Sequence, residues 1–362
     1  MSAASLRTCL FTLSLLCLAP AASAGERDDA WTPAPYDLGR GLQIPGQGLT
    51  VGGYLSLYYS NLDHRGWLAG LRDLSLFLGK ALSARWYLFS EIELGNAVEF
   101  SSHGATDRNS EVDLERLYAD YRATRNVNVR LGKFLTPVGH WNQIHADPLV
   151  WTVDRPLVTA APFARHATGA QFYGNMDAGG KSLDYSLFVD DSELLDPDQK
   201  KELAFEDDVS GISLRNAFDR AAGLSARLHL LDDSLQIGAS YLRMTMYQQP
   251  ARSDLYGLDA LWNVGRAEFS SELIYRDNAG ASSHDEYGGF VQAVVPLAAR
   301  LYAIGRYEHY KPGVLPHAAD IGEVGLTYRP HDAVSLKLDY REGQHNAVVA
   351  PDGWLASLAI LF

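Results

Sequence analysis

The chain has 362 residues and a formal net charge of −13, which argues against a nucleic-acid partner because such a partner requires a basic protein face. Its two cysteines, Cys9 and Cys17, both lie within the first 24 residues, so the chain beyond them can form neither a disulfide nor a cysteine metal site. No stretch after Ala24 contains roughly 18 consecutive apolar residues, which excludes a bundle of membrane-spanning helices.

Residues 1–24 have the three parts of a secretory signal peptide. Arg7 supplies the positive charge, an apolar run follows over residues 10–19, and small residues precede Gly25. The run is too short to span a bilayer as a helix, which needs about 20 residues. A retained N-terminal anchor is the alternative. Residues 25–48 are rich in proline, glycine and charge without a clear period, which predicts a periplasmic extension or a loose plug of the lumen.

From residue 49 onward the dominant pattern is an alternation of apolar and polar residues. In residues 333–342, Val334, Leu336 and Leu338 alternate with polar or charged residues such as Lys337 and Asp339. Such a period of two predicts a β-strand between two different environments. About sixteen segments show it, near 49–60, 70–80, 84–95, 112–123, 126–135, 167–175, 181–190, 221–231, 233–245, 254–264, 266–276, 286–297, 299–310, 320–330, 333–342 and 352–362.

The connections between these segments alternate between short and long. Tight turns are predicted at 83, 124–125, 232, 265, 298 and 331–332, and longer loops near 61–69, 96–111, 136–166, 191–220, 246–253, 277–285, 311–319 and 343–351. Short periplasmic turns and long external loops are typical of an outer-membrane barrel. The sequence therefore predicts an all-β fold, a transmembrane antiparallel β-barrel of about 16 strands over residues 49–362. An even strand number places both termini on the periplasmic side.

The two faces of the predicted strands differ in polarity. One face is apolar, and the other carries many charges of both signs in roughly equal number. The charged positions are Arg85, Glu91, Glu93, Arg116, Asp120, Arg122, Arg227, His229, Glu268, Glu272, Arg276, Arg306, Glu308, Lys337, Asp339 and Arg341. A soluble protein would need a second sheet to cover the apolar faces, which makes it the weaker alternative. Aromatic girdles at the membrane interfaces are predicted from Trp67, Trp86, Tyr241, Trp262, Tyr275, Tyr307, Tyr328, Tyr340 and Trp354.

The last residue of the chain is Phe362, at the end of a strand with Trp354, Leu358 and Ile360 on one face. This ending is similar to that of outer-membrane barrels, in which the assembly machinery recognises a C-terminal aromatic residue. The similarity implies the cell outer membrane of a Gram-negative bacterium as location, with the lipid bilayer and lipopolysaccharide as partners. The acidic stretch 190–208 could attract cations or bind divalent ions beside lipopolysaccharide, although a merely solvated loop is the simpler interpretation.

The predicted loop 136–166 contains the main candidate site. It is the third external loop by count, and its two tryptophans and several prolines favour a rigid segment; a long ordered loop is usually functional. In sixteen-strand porins the third loop folds into the lumen, which implies that it narrows the pore here. The predicted constriction residues in this loop are His140, Asp147, Asp154, Arg155 and Arg165. The predicted charges of the pore wall are Arg116, Arg122 and Arg130.

The region 117–139 resembles the phosphate-selective porin O/P-type family. The resemblance lies in Leu117–Tyr121 and in Val129–Gly139, which contains the run GKFLTPVG. It implies a passive sixteen-strand channel, commonly a homotrimer, whose selective members line the pore with arginines and a lysine cluster. The third loop here has no lysine cluster, and its arginines are opposed by Asp147 and Asp154. The resemblance therefore does not identify the solute that passes through the pore.

The predicted function is passive diffusion of small hydrophilic solutes or ions through a water-filled pore. The alternatives are an adhesin or structural barrel and, less favoured, an outer-membrane hydrolase, for which no G-x-S-x-G motif is present. His140 and His145 are five residues apart without evident third and fourth ligands, so neither a metal nor another cofactor is predicted.

Overall fold

A computed structural model describes residues 36–37, 41–102, 104–106, 110–144, 146–196, 216–247, 249–278 and 284–362. The predicted signal peptide 1–24, most of the predicted extension 25–48, His145 and residues 197–208 of the acidic stretch lie outside these residues. Among the helices in the described ranges, none is long and apolar enough to cross a membrane.

The described residues form nineteen strands in one sheet, a four-residue helix and three short 3₁₀ turns. The strands are β1 Tyr36–Asp37, β2 Gly41–Ile44, β3 Leu49–Leu62, β4 Gly66–Ala81, β5 Trp86–Ser101, β6 Gly104–Thr106, β7 Glu111–Arg122, β8 Asn128–Leu135, β9 His166–Asp177, β10 Ser182–Asp190, β11 Phe218–Leu230, β12 Leu235–Met246, β13 Gln249–Val264, β14 Ala267–Asn278, β15 Glu286–Pro296, β16 Leu301–Lys311, β17 Ala319–His331, β18 Val334–Gln344 and β19 Gly353–Leu361. Helix α1 is Ser192–Leu195, and the 3₁₀ turns are Trp141–Gln143, Asp147–Leu149 and Leu157–Thr159.

Sixteen of these strands close into a barrel. All of β3–β19 except the three-residue β6 take part, each antiparallel to its neighbours in chain order. The barrel closes where β19 pairs with β3, from Gly353 opposite Leu62 to Leu361 opposite Tyr54. At this seam the Phe362 N–H donates to the Gly53 carbonyl, and the Gly53 N–H donates to the Phe362 carbonyl, both at 2.9 Å. The prediction of an all-β antiparallel barrel of about 16 strands is confirmed.

The outer face of the barrel is apolar and the inner face is polar. In β18, Leu336 and Leu338 are 40% and 46% exposed, whereas Lys337 and Asp339 between them are 3% and 0% exposed. This is the reverse of a soluble protein, and it suits a barrel surrounded by hydrocarbon. Seven of the nine predicted girdle aromatics are exposed, namely Trp67, Trp86, Trp262, Tyr275, Tyr307, Tyr328 and Trp354, and Tyr241 and Tyr340 are half-buried.

Two of the predicted long loops are wrong. β3 continues to Leu62 and β4 begins at Gly66, so three residues replace the loop near 61–69. β12 continues to Met246 and β13 begins at Gln249, so two residues replace the loop near 246–253. The strands extend because backbone pairing does not require apolar side chains, and polar residues continue the ladder beyond the alternating part. The predicted extension 25–48 also contains short strands, and β2 pairs with β3 through Leu42 opposite Val51.

Candidate functional site

Residues 136–165, here called the inner segment, join β8 to β9 and bond to inner-face side chains of distant strands. Glu272 of β14 accepts hydrogen bonds from the backbone N–H groups of His140 and Trp141, at 2.8 and 2.7 Å. The Trp151 indole N–H donates to Glu268 of the same strand at 2.9 Å. Two wall carboxylates therefore hold two separate points of the inner segment against one strand.

Asp154 is the most strongly bonded carboxylate of the inner segment. It accepts from Arg341 of β18 at 2.8 Å and from Arg72 of β4 at 3.3 Å, so it bridges two strands on either side of the seam. Burial alone would raise the pKa of Asp154, but the two guanidinium groups outweigh burial and lower the pKa to about 2. The neighbouring Val153 N–H donates to Asp339 of β18 at 2.6 Å. Asp154 is therefore charged at any physiological pH.

Asp147 is tied to the same side of the barrel. Its Oδ2 accepts from the Ser56 hydroxyl of β3 at 2.5 Å, and the Lys337 ammonium lies 3.8 Å from its Oδ1. Lys337 also donates to the Asp147 and Thr152 carbonyls at 2.8 and 3.1 Å. Burial raises the pKa of Asp147, and the nearby cations, first Lys337 and then Arg72, more than offset it, so that the pKa falls below its usual value.

Arg155 forms hydrogen bonds within the inner segment. Its guanidinium donates to the Trp141 and Ile144 carbonyls at 3.1 and 2.5 Å. Arg155 and Asp154 also line a cavity of about 80 Å³, together with wall residues that include Arg72 and Arg341. The two oppositely charged residues predicted for the constriction therefore face one small space.

His140 and Arg165 lie at the two ends of the inner segment. Burial, and secondly the charge of Arg227, lower the pKa of His140 to about 4, so the ring is neutral near pH 7. The Arg165 carbonyl accepts from the Thr136 N–H at 2.9 Å and from the Asn142 side chain at 3.1 Å. These bonds close the base of the inner segment, where its two ends leave β8 and enter β9.

The three arginines predicted for the wall occupy different environments. Arg116 of β7 forms an ion pair with Glu91 of β5. Arg130 of β8 makes two hydrogen bonds to Asp120, at 2.8 and 2.9 Å. Arg122 is exposed at the end of β7, beside the short turn to β8. Arg116 and Arg130 therefore lie on the inner wall, whereas Arg122 lies at its rim.

Sequence reasoning missed Arg72, one of the two partners of Asp154. Strict alternation from Ser75 and Phe77, both buried on the inner face, would point Arg72 outward. A register shift between Leu71 and Asp73 inserts one residue and returns Arg72 to the interior. Such a β-bulge reverses the parity of everything beyond it. No residue in this stretch marks the bulge in the sequence.

Ion pairs of opposite sign dominate the interior of the barrel. They are Arg116–Glu91, Arg130–Asp120, Arg227–Asp259, Arg276–Glu286, Arg306–Glu323 and Arg341–Asp154. Across the part of the chain that the structure describes, no group of three or more histidine, cysteine or acidic side chains is arranged to hold a metal ion. The interior can therefore present hydrogen-bonding groups of both signs to a solute without a one-signed ring of charge.

A closed sixteen-strand antiparallel barrel with an apolar outer face and a charged inner face has the fold of outer-membrane porins. Solved structures with this fold align along most of their length. OmpF of Salmonella typhi, solved in complex with daunomycin, has a TM-score of 0.60 at 11% identity and covers 88% of this chain and 98% of that one. The outer-membrane channel DcaP of Acinetobacter baumannii has a TM-score of 0.56 at 11% identity, covering 91% of this chain and 100% of that one.

A third solved structure is the anion-selective porin of Comamonas acidovorans, with a TM-score of 0.54 at 15% identity over 86% of this chain and 98% of that one. A curated relative is an uncharacterized protein of Aquifex aeolicus, 24% identical over 354 residues, which is 87% of this chain and 80% of the relative. No protein-family model matches the chain.

Proposed function

We propose that this protein is a porin-type channel through which small hydrophilic solutes diffuse passively. The observation that carries the proposal is the polarity of the closed barrel: Leu336 and Leu338 face outward, and the charged Lys337 and Asp339 face the interior. A wall of this kind separates lipid from water. The inner segment bonds to β3, β4, β14 and β18 from the interior side, which supports its role as the constriction of the pore.

The environment of the channel belongs to the same proposal. The chain is exported by a signal peptide that is cleaved after residue 24. The short turns face the periplasm, and the long loops face the cell exterior. Lipid and lipopolysaccharide surround the apolar outer face, and the assembly machinery recognises Phe362. A homotrimer is proposed as the working unit; one solved neighbour, OmpT of Vibrio cholerae, is described in a trimer form. No enzymatic activity is part of the proposal.

The narrower relation to the phosphate-selective porin O/P-type family rests on the motif from Gly132 to Gly139. Gly132 and Gly139 both have positive φ, 127° and 66°. Both glycines therefore occupy backbone conformations that residues with a Cβ atom rarely adopt. Phosphate selectivity is not part of the proposal, because the interior arginines are matched by carboxylates. We propose a weakly selective pore, since paired charges present no net field to a passing ion.

Planar-bilayer recording of the refolded, detergent-purified protein tests the function. We expect discrete conductance steps that scale with salt concentration, and a reversal potential close to zero under a tenfold KCl gradient. Silence from a barrel that is shown to be folded by its heat-modifiable electrophoretic mobility would refute the channel. A reversal potential near the Nernst value for chloride would instead refute weak selectivity and would favour the phosphate-type family.

A further inference from the structure

The first strand of the barrel is longer than the strand that closes it. β3 pairs with β4 along its whole length, Leu49–Leu62. On its other edge, β19 reaches only as far as Phe362, whose backbone exchanges two hydrogen bonds with Gly53. Residues 49–52 of β3 therefore continue past the end of β19, and this part of their edge needs another partner.

β2 fills this part of the edge. Thr50 of β3 is opposite Gln43 of β2 and, on its other side, opposite Gly79 of β4. A strand has only two edges for backbone pairing, so β2 must lie on the same edge of β3 as β19 does. The pair nearest to β19 is Leu42 opposite Val51. β2 and β19 therefore lie end to end along one edge of β3.

The close approach of β2 to β3 depends on Gly41. Its φ is 97°, and a Cβ atom at this position would lie 2.2 Å from the Val51 carbonyl oxygen and 2.4 Å from the Gly52 Cα. A side chain there would therefore push β2 away from β3. Beyond the other end of β2, the Lys80 ammonium donates to the Gln47 carbonyl in the turn that leads into β3. These contacts hold β2 on β3 from both of its ends.

The position of β2 limits where β19 can pair with β3. The side chains of β19 alternate between the interior and the outer face, so its register can change only in steps of two residues without exchanging the two faces. A step of two towards the start of β3 would move Phe362 from Gly53 to Val51, where Leu42 already lies. In a closed barrel the register and the diameter are linked, so a different register at the seam would give a pore of different width.

We propose that β2 is a register stop, which fixes the residue of β3 at which β19 ends and thereby sets the width of the pore. β2 acts by occupation, because it takes the hydrogen-bonding edge that a slipped β19 would need. The segment before the barrel therefore has a role in closing it. The inference goes beyond the proposed channel function, because it concerns how the barrel closes and holds for any solute.

Disulfide cross-linking of the refolded full chain measures the register, in a background with Cys9→Ser and Cys17→Ser. Leu55 is directly opposite Ile360, and after a step of two it would be opposite Leu358 instead. Directly opposite side chains are close enough for a disulfide, whereas diagonal neighbours, about 7–8 Å apart, are not. Leu55→Cys with Ile360→Cys therefore reports the native register, and Leu55→Cys with Leu358→Cys reports the slipped one.

Gly41→Val should detach β2 and allow the slip. We expect the ratio of slipped to native cross-link to rise about tenfold, a factor that corresponds to roughly 1.4 kcal/mol, or about one net backbone hydrogen bond. Single-channel recording should show a second conductance level, which the cross-link between positions 55 and 360 should remove. The matched control is Gly66→Ala at the start of β4. The φ of Gly66 is 77°, but a Cβ atom there would meet nothing within 4 Å, so the register should not change.

A further cross-link shows whether β2 has left β3. Leu42→Cys with Val51→Cys, at two directly opposite positions, should form a disulfide when β2 is attached and none when it is detached. Gln43→Pro removes a backbone N–H from the middle of β2 and leaves β3 unchanged. It is the second variant if Gly41→Val does not fold or keeps β2 attached.

A detached β2 together with a seam that forms only the native cross-link would overturn the register stop. A detached β2 with an increased slipped cross-link would support it. The channel function is judged separately, because a wild-type barrel without conductance would refute the channel while the cross-links still decide the role of β2.

Discussion

Asp154→Asn should release the inner segment from the wall without unfolding the barrel. The substitution keeps the shape of the side chain and removes the negative charge that faces Arg341 and Arg72. The Arg341 side chain is only 5% exposed, so its charge stays buried after its carboxylate partner is lost. The backbone pairing of β4 and β18 does not involve Asp154, and the sixteen-strand sheet should therefore persist.

The magnitude follows from two independent arguments. A fall in the pKa of Asp154 to about 2, from an ordinary value of 3.8, is worth roughly 2–3 kcal/mol at neutral pH. Breaking a buried ion pair costs about 3–5 kcal/mol, and the partial exposure of Asp154, at 21%, places it at the low end. A loss of about 2–3 kcal/mol changes the equilibrium between attached and detached segment by roughly 30- to 150-fold.

Limited chymotrypsin digestion of the folded barrel measures this release. Trp151 lies three residues before Asp154 and is followed by Thr152, so cleavage after Trp151 should accelerate by a similar factor in the Asp154→Asn variant when opening is rapid. Single-channel current should also become noisier. The matched control is Asp332→Asn, because Asp332 forms an exposed pair with Arg300 at 3.5 Å and should change neither property. Wild-type cleavage and conductance in Asp154→Asn would refute this account of how the segment is held.

The remaining predictions concern pH, a second anchor, one histidine and the seam. Because the pKa of Asp154 is lowered, its charged form stabilises the attached segment above about pH 4, and this stabilisation is lost as the pH falls towards 2. The current noise of the wild-type channel should therefore rise over this pH range. The Asp154→Asn variant should show no such rise. Glu272→Ala removes the acceptor of two backbone N–H groups and should raise chymotrypsin cleavage after Trp151, whereas Glu272→Gln, which keeps an amide oxygen, should raise it less. The pKa of His140 is about 4, so its ring resonances in NMR spectra should not shift between pH 8 and 5.5; a midpoint near 6.5 would contradict its burial. Phe362→Ala removes the ring that lies against Gly53 at the seam and should lower the yield of heat-modifiable barrel, with Phe362→Tyr as the conservative control.

The barrel was predictable because its strongest signal is local. Leu336, Lys337, Leu338 and Asp339 alternate in the sequence, and their exposure alternates in the structure. Strand ends were less predictable. At Ser60 and Asn61 the alternation has faded, yet the backbone continues to pair with β4 up to Leu62. Hydrogen bonding, unlike the apolar pattern, does not stop at the edge of the hydrocarbon layer.

The candidate site was predictable as a set of residues and not as a set of contacts. Asp147 and Asp154 stand out as acidic residues in a long loop with tryptophans and prolines. Their partners Lys337 and Arg341 lie almost 190 positions further along the chain. The alternation of inward and outward positions identified Lys337 and Arg341 as inward-facing charges. Which strands lie against the loop, however, depends on how the barrel closes. The alternation of inward and outward positions did not identify Arg72 as inward-facing, because the β-bulge between Leu71 and Asp73 interrupts the alternation.

The charged interior has consequences for selectivity as well as for stability. Arg341 holds Asp154, and Arg306 pairs with Glu323 at 2.7 Å while also donating to the Thr152 hydroxyl at 2.7 Å. A guanidinium engaged in this way cannot also serve as an open site for anions without loosening the segment that it supports. Discrimination by net charge and rigid attachment of the inner segment therefore compete for the same arginines. In this barrel the bonds favour attachment, which leaves solute size as the property by which the pore can distinguish solutes.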